Sequence, residues 1–195
     1  LWKGEKIKPN EKILIIKEQG VGDEILHSSM FLDVINNYPL SCIETEDRLL
    51  SIFKRSFKNE TKFYPSMHFS KNNKNIQNFD KILYSGSLAK LFRNNILDFP
   101  KKNYLFPDNK IKDQVTTQVQ NLIKNHYPNI GITWQSKRMV YGDDKSIELE
   151  TLLPILELKN FNFINLQYGD TKDEIKNFEN KFNIKINNFN SIDLF

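Results

Sequence analysis

Short apolar runs alternate along the chain with longer stretches in which apolar residues recur at helical spacing. The clearest run, Ile13–Ile16, has four aliphatic residues between charged neighbours, which is typical of a strand buried on both faces. The same two patterns predict strands near residues 13–16, 40–44, 62–64, 81–84, 129–134, 161–167 and 184–186, and helices near residues 25–35, 47–57, 88–92, 115–123, 149–158 and 171–182.

This alternation of strand and helix predicts an α/β fold with parallel sheets and right-handed crossovers. The pattern pauses over Asn94–Asp108, which contains two prolines, and then restarts. We therefore predict two Rossmann-like lobes, residues 1–108 and residues 109–195. The second lobe has only about three predicted strands, whereas a typical sheet has ~5–6. We accordingly expect a truncated C-terminal lobe, in a chain cut from something longer.

Composition narrows the protein class. Hydrophobic residues make up 39% of the chain and there are 15 Phe, so a packed core is expected and disorder is not. No apolar stretch is long enough to span a membrane, and we expect no signal peptide. The single cysteine, Cys42, rules out an intrachain disulfide and indicates a reducing compartment, which we predict to be the cytoplasm. Its position in an apolar run predicts a buried, unreactive thiol.

The net charge of +4 is a thin surplus rather than a basic patch. Residues 1–108 carry 17 Lys/Arg against 13 Asp/Glu, which leaves room for an anionic ligand in the first lobe. The chain lacks the basic stripe with interleaved aromatics that nucleic-acid binding requires, so we predict no nucleic-acid partner. His27, His68 and His126 are dispersed without metal-ligand spacing, so we predict no metal site.

The segment Gln19-Gly20-Val21-Gly22-Asp23 directly follows the first predicted strand. A strand, a two-glycine turn and a helix N-terminus expose backbone N–H groups to an anion or a polar ligand. No third glycine follows at the required spacing, which disfavours a nicotinamide cofactor. Asp23 has two interpretations. It is either a helix cap favoured by the helix dipole, or a general base at the strand end where open α/β sheets place ligands.

Taken with the Trp2-x-Gly4-Glu5 lead-in, the segment Glu18–Ile25 resembles the glycosyltransferase-like domain found after tetratricopeptide repeats in many bacterial proteins. That domain is similar to the heptosyltransferase family of GT-B glycosyltransferases. The likeness covers nearly the whole chain in the family's order. Further matches are Ile43-Glu44, Asp47-Arg48-Leu49, Phe53-x-Arg55-Ser56-Phe57, Gly86-Ser87-Leu88, Phe92-Arg93, Tyr104-Leu105-x-Pro107-Asp108, Gly131-Ile132-Thr133-Trp134-x-Ser136, Leu149-Glu150 and Leu166-Gln167-Tyr168-Gly169-Asp170.

The resemblance implies a GT-B-like architecture, with an N-terminal acceptor lobe and a C-terminal donor lobe. It implies transfer of a sugar from a nucleotide-sugar donor to an acceptor hydroxyl, with no metal or other cofactor. Asp23 matches the family's proposed catalytic base. In the family, the loop after the Gly131-x-x-Trp134 strand faces the donor phosphates. Four residues of that loop could neutralise a departing nucleoside diphosphate, or could simply be solvated: Ser136, Lys137, Arg138 and Lys145.

Other expected contacts also have plainer alternatives. Gln167 and Tyr168 are predicted to border the nucleotide, although packing at a strand end would explain them equally. Gly86 and Ser87 either contact the acceptor or cap a helix, for which Ser87 is the N-cap candidate. The expected partners are a nucleotide-sugar, an unknown acceptor, and proteins bound through repeats outside this chain.

The sequence departs from the family at its C-terminal end. Family members continue with a strand, an acidic residue and a Thr/Ala-His-Leu-Ala-Gly-Ala-like helix start that helps to bind the donor phosphates. No such segment occurs in this sequence. We therefore expect an incomplete donor site and little activity from this chain alone. The alternative is a non-catalytic GT-B-like binding module of a repeat protein.

Overall fold

Two parallel sheets organise the residues that the computed structural model describes, which are 1–59, 62–69, 76–136 and 142–189. The chain divides into a first unit, Leu1–Asn109, and a second unit, Lys110–Phe195. Each unit has its own hydrophobic core. The prediction of an α/β fold with parallel sheets is thereby confirmed. Within the described ranges, no helix is both long enough and apolar enough to cross a membrane.

The first sheet has the strand order β3-β2-β1-β4, and each neighbouring pair is parallel. Its central strand coincides with the predicted run, and Ile13, Leu14 and Ile15 are fully buried because neighbours cover both faces. The predicted bounds of the outer strand at 81–84 are also confirmed. The four strands are β1 (Ile13–Ile16), β2 (Cys42–Thr45), β3 (Phe63–Pro65) and β4 (Lys81–Tyr84).

The helices of the first unit match the prediction less evenly. Asp47–Phe57 is a helix as predicted, and it ends where Lys58 takes a left-handed conformation. Ser87 does not cap a helix, because it lies inside the 3₁₀ turn Ser85–Leu88. The α-helices that lie wholly within the described residues of this unit are α1 (Val21–His27), α2 (Phe31–Asn37), α3 (Asp47–Phe57) and α4 (Ala89–Phe92).

The prediction of a single helix after the glycine turn is wrong, because a 3₁₀ turn, Ser28–Met30, separates α1 from α2. The Ser28 hydroxyl donates to the carbonyl of Ile25 at 2.7 Å, a back-bond that bends helices. Carbonyls near the break find partners from outside the helix. Tyr104 donates its hydroxyl to Ile25 at 3.1 Å, and the buried guanidinium of Arg93 donates to Ser29 at 2.7 Å.

Aromatic packing joins α2, α3 and β3 on one side of the first sheet. Phe31 and Phe53 meet edge to face with ring centroids 5.4 Å apart, and Phe57 stacks on Phe63 at 5.6 Å. All four rings are buried. Pairs in these geometries contribute about 0.5–1.5 kcal/mol each beyond the area that they bury. The cluster therefore fixes two helices against the sheet whose strand ends carry the candidate site.

The N-terminal lead-in, residues 2–5, pairs with the outer edge of β4. The backbone N–H of Trp2 donates to the carbonyl of Ile82 at 2.8 Å, and the ammonium group of Lys81 pairs with the Glu5 carboxylate at 2.6 Å. The hydrogen bond from Lys81 lowers the pKa of Glu5 to about 2. Gly4 allows the sharp bend with a φ of 106°. Because an uncovered edge strand invites pairing with other chains, this segment also protects the sheet.

The second unit has a three-stranded parallel sheet, in the order β5-β6-β7, among its described residues. Trp134, Phe163, Phe178 and Ile186 belong to its core. The elements are α5 (Asn109–Leu122), β5 (Asn129–Ile132), the 3₁₀ turns Asp143–Lys145 and Leu149–Leu152, α6 (Leu153–Leu156), β6 (Asn162–Asn165), α7 (Lys172–Phe182) and β7 (Ile186–Asn187).

The prediction of one helix over residues 149–158 is partly wrong, because the observed α-helix is shorter. The first turn of the segment is 3₁₀, and α6 begins only at Leu153. Pro154 lacks the N–H group that an α-helix would need at that point, so the preceding turn closes with tighter bonds. Ile155 is 48% exposed, whereas Leu149 and Leu156 are buried.

Candidate functional site

The first sheet places its candidate site at the carboxyl ends of its strands. After β1 the chain builds β2 and β3 on one side, and then returns to place β4 on the other side. Such a switch point leaves a crevice at the carboxyl ends of the two diverging strands, where open α/β sheets bind ligands. Here the two loops are joined, because the Gly86 N–H donates to Glu18 Oε1 at 2.7 Å. We call residues 17–24, 45–46 and 85–87 the first carboxyl edge.

Asp23 caps the start of α1. Its Oδ2 accepts a hydrogen bond from the Gly20 N–H at 3.1 Å, which confirms the helix-cap interpretation. The Asp23 carboxylate is half-buried rather than packed in the interior. Gln19 is exposed and takes a left-handed φ of 62°, and Gly22 is exposed within α1. Catalysis by Asp23 and ligand contacts of this turn stay predictions.

Glu24 is a buried carboxylic acid that sequence reasoning missed. Its side chain is only 1% exposed. It accepts hydrogen bonds from the hydroxyl of Thr45 and from the Glu46 N–H, the latter at 3.0 Å. Burial raises the pKa of Glu24. Glu24 therefore fastens α1 to the carboxyl end of β2, while a hydrogen bond from Lys17 lowers the pKa of Glu46 beside it.

The loop after β4 approaches α1 closely. His27 Nδ1 lies 3.0 Å from the hydroxyl of the buried Ser85. A Cβ added to Gly86 would lie 2.3 Å from Glu18 Oε1, so only glycine permits the observed bond to Glu18. Ser87 is half-buried in the same turn. Predicted site residues from β1 and β4 thus do share one edge, and Glu18 is the link between their loops that was not foreseen.

The second sheet carries a different candidate site at the carboxyl ends of β5 and β6. An open depression of about 420 Å³ lies there. Three of the predicted donor-binding residues line it together, namely Ser136, Lys145 and Tyr168. We call residues 133–136, 145–147 and 166–168 the second carboxyl edge. The remaining lining residues are Thr133, Trp134, Gln135 and Ile147. Lys137 and Arg138, which were predicted to join this site, lie outside the described residues.

The loop that carries Ser136 and Lys145 is fastened at both ends. The Ile147 N–H donates to the carbonyl of Trp134 at 2.9 Å, and the Ser136 N–H donates to the hydroxyl of Ser146 at 2.9 Å. Ser146 in turn donates to the carbonyl of Gly142 at 2.7 Å. These bonds hold the two ends of the loop side by side, although Ser136 and Lys145 are nine positions apart.

Gln167 lies beneath this loop. Its side chain is 2% exposed. Its Oε1 accepts from the N–H groups of Trp134 and Gln135 at 2.9 and 2.8 Å, and its Nε2 donates to the carbonyls of Gln135 and Tyr168. The buried amide thus shapes the loop, and its predicted contact with a nucleotide stays a prediction. Trp134 is buried, and its indole N–H donates to Glu174 at 2.9 Å, so its side chain packs in the core of the second unit.

Other chemistry suggested by the sequence has little geometric support. Cys42 is half-buried rather than buried, and burial raises the pKa of its thiol. Within the described ranges, no group of three or more His, Cys, Asp and Glu side chains is arranged to hold a metal ion.

Comparison with known proteins adds one distant relative. The chain is 26% identical over 206 aligned positions to Protein FlbA of Caulobacter vibrioides. The alignment covers 99% of this chain but 34% of that protein, so the chain spans about a third of the length of the relative. No protein-family profile matches the chain. No solved structure matches it either.

The close approach of Glu18 to Gly86 predicts a contrast between two glycines. We expect Gly86→Ala to displace the Glu18 carboxylate, break its hydrogen bond and lower the free energy of unfolding by about 1–3 kcal/mol. Gly22→Ala is the matched control, because nothing lies within 4 Å of an added Cβ. It should stabilise α1 by about 0.5–1 kcal/mol. Urea unfolding of both variants measures the difference, and equal effects would contradict the geometry.

Burial of Glu24 predicts a pH-dependent loss of stability. Its pKa in the folded state lies above the ordinary value of 4.5, so the folded protein favours the protonated acid. The stabilising contribution of Glu24 to the free energy of unfolding is therefore fully present below pH 4.5. It falls as the pH rises through the pKa of the folded state. Glu24→Gln keeps an acceptor oxygen but does not ionise. The stability of this variant relative to wild type should increase between about pH 4 and pH 7.

Glu24→Ala provides the comparison. It leaves the Thr45 hydroxyl and the Glu46 N–H without their acceptor, which should cost about 1–3 kcal/mol throughout that range. Urea unfolding at several pH values measures both variants. A wild-type-to-Gln difference that does not change with pH would show that Glu24 titrates normally.

Proposed function

We propose that the chain is a glycosyltransferase-like domain that takes part in transferring a sugar from a nucleotide-sugar to an acceptor hydroxyl. The two Rossmann-like units would be arranged as in GT-B enzymes, with the acceptor on the first and the donor on the second. The single observation that carries the proposal is the gathering of Ser136, Lys145 and Tyr168 around one depression at a parallel-sheet carboxyl edge. The presence of Asp23 at the corresponding edge of the other sheet supports it.

The donor half of the proposal rests on the chemistry of the depression. Lys145 is exposed and supplies a cation, and the side chains of Ser136 and Tyr168 carry hydroxyl groups. A diphosphate is recognised by such donors, and a cation stabilises the negative charge that develops as it leaves. The bond from the anomeric carbon to the phosphate oxygen would break here, with its electron pair leaving on the nucleoside diphosphate.

The acceptor half rests on Asp23. As the acceptor oxygen bonds to the anomeric carbon, its proton would pass to the Asp23 carboxylate. The half-buried position of Asp23 leaves it accessible, and the Gly20 N–H holds it in one place. Orientation of this kind is what general-base catalysis needs.

A second candidate function is a non-catalytic binding module. The observation that favours it is the cap formed by Asp23, because that hydrogen bond accounts for the Gly-Asp turn without any reaction. In that case the depression of the second unit would bind a nucleotide or another protein, and no sugar would be transferred.

Nucleotide binding tests the donor site. In the protein extended past Phe195 so that the donor lobe is complete, we expect UDP, GDP or ADP to bind saturably, and Lys145→Ala to weaken the binding about 10- to 100-fold through loss of a charged contact. Lys159→Ala is the matched control, because Lys159 is exposed and precedes β6 at the amino end of the sheet. Calorimetric titration of wild type and both variants gives the affinities. No saturable binding, or equal losses in the two variants, would rule out this donor site.

Turnover tests the role of Asp23. In the same extended protein, Asp23→Asn keeps an oxygen for the Gly20 N–H but removes the base, so transfer should fall about 10²–10⁴-fold while the fold persists. Asp113→Asn, on the exposed surface of α5, is the control. The measurements are incorporation of labelled sugar, release of nucleoside diphosphate and the thermal unfolding midpoint. Unchanged turnover in Asp23→Asn would discard the catalytic role, and nucleotide binding without turnover in wild type would favour the binding module.

A further inference from the structure

His27 and Glu18 form a second polar cluster on the first carboxyl edge. His27 lies one helical turn after Asp23 on α1, so the two side chains leave the helix on the same side. The ring of His27 is held through Nδ1, which lies 3.0 Å from the Ser85 hydroxyl. Ser85 is 1% exposed, so this hydroxyl belongs to the protein interior. The imidazole is therefore anchored at its inner nitrogen.

The Cε1 and Nε2 atoms of the imidazole and the Glu18 carboxylate converge on Gly86. A Cβ placed on Gly86 would lie 2.3 Å from Glu18 Oε1, 3.1 Å from His27 Cε1 and 3.3 Å from His27 Nε2. Glu18 Oε1 is itself held by the Gly86 N–H. Both side chains are half-buried, so each has a protein-bound side and an exposed side. The loop after β4 thus holds a carboxylate and an imidazole next to each other.

Together the two side chains offer one hydrogen-bond donor and one acceptor, which are the two partners that an alcohol group needs. When Nδ1 accepts a hydrogen bond from the Ser85 hydroxyl, the neutral imidazole carries its proton on Nε2 and is a donor there. The Glu18 carboxylate is an acceptor. A ligand hydroxyl can donate to the carboxylate while it accepts from Nε2. A carbohydrate presents several such groups.

Local charge selects a neutral ligand over an anion. The first carboxyl edge carries the carboxylates of Glu18, Asp23 and Glu46, and the two cations beside it, Lys17 and Arg48, both pair with Glu46. A phosphate brought here would meet like charges. The anionic ligand that the surplus charge of residues 1–108 allowed is therefore disfavoured at this edge.

We propose that Glu18 and His27 bind hydroxyl groups of a neutral carbohydrate beside Asp23, an assignment that rests on the proposed function for its part in transfer. Glu18 and His27 would then orient the sugar that presents its hydroxyl to Asp23. The acceptor class is accordingly a neutral glycan rather than a phosphorylated one.

The ring signals of His27 report on this site directly. Methyl α-D-glucopyranoside, methyl α-D-galactopyranoside and methyl α-D-mannopyranoside are titrated separately into the labelled full chain, and histidine Cε1–H and Nε2 resonances are followed by NMR. We expect at least one glycoside to shift the His27 signals saturably, because a merely structural histidine would not respond. Glu18→Gln and His27→Gln should each weaken the binding of that glycoside about tenfold.

His126→Gln, an exposed histidine of the second unit, is the control and should leave the affinity unchanged. Glu18→Gln retains an acceptor for the Gly86 N–H, so it remains informative if His27→Gln unfolds. His27 signals that stay fixed with all three glycosides would overturn the proposal, as would a shift produced by inorganic phosphate instead. Nucleotide binding at Lys145 is unaffected by either result, so failure of this site is distinct from failure of the proposed function.

Discussion

Both candidate sites depend on one kind of interaction, a buried or half-buried polar side chain that satisfies the backbone of a neighbouring loop. Where parallel strands end, their last N–H and C=O groups lose their ladder partners, and burial without new partners costs about 1–3 kcal/mol for each group. In the second unit Gln167 meets this need with four hydrogen bonds to the loops after β5 and β6. In the first unit Glu24 serves the loop after β2, and Glu18 serves the loop after β4.

These hydrogen bonds from side chains give the loops a defined shape. The amide of Gln167 fixes the backbone of Trp134 and Gln135, and the bonds to Ile147 and Ser146 then bring the far end of the loop back beside them. As a result Ser136 and Lys145 line one depression. Groups held in advance lose little freedom when a ligand arrives, so the same contacts give more affinity than they would on a loose loop.

The sequence predicts β1 better than the break between α1 and α2 for a physical reason. β1 is buried on both faces, so its continuous apolar run marks its ends without ambiguity. The break between α1 and α2 leaves no such mark, because it depends on carbonyl partners that come from Tyr104 and Arg93, more than sixty positions away. Local periodicity contains no information about partners at that distance.

The functional residues show the same division. The glycine turn and Asp23 stand out because glycines and an acid after a strand form a local pattern. Glu24 and Gln167 do not stand out, because charged and amide side chains are normally exposed and only the tertiary fold reveals that these two are buried. The grouping of Ser136 with Lys145 and Tyr168 follows the resemblance to glycosyltransferases, whereas the role of Glu18 at Gly86 needed the coordinates.

The charges of the two edges distinguish the candidate functions. The first carboxyl edge has Glu18, Asp23 and Glu46 with two cations, Lys17 and Arg48, that both pair with Glu46, whereas the described residues that line the depression of the second edge include Lys145 and no carboxylate. A phosphate is therefore attracted to the second edge and repelled from the first. A protein that only binds one ligand has no need of two edges with opposite preferences. A transferase does, because its anionic donor and its hydroxylic acceptor must occupy different places at the same time.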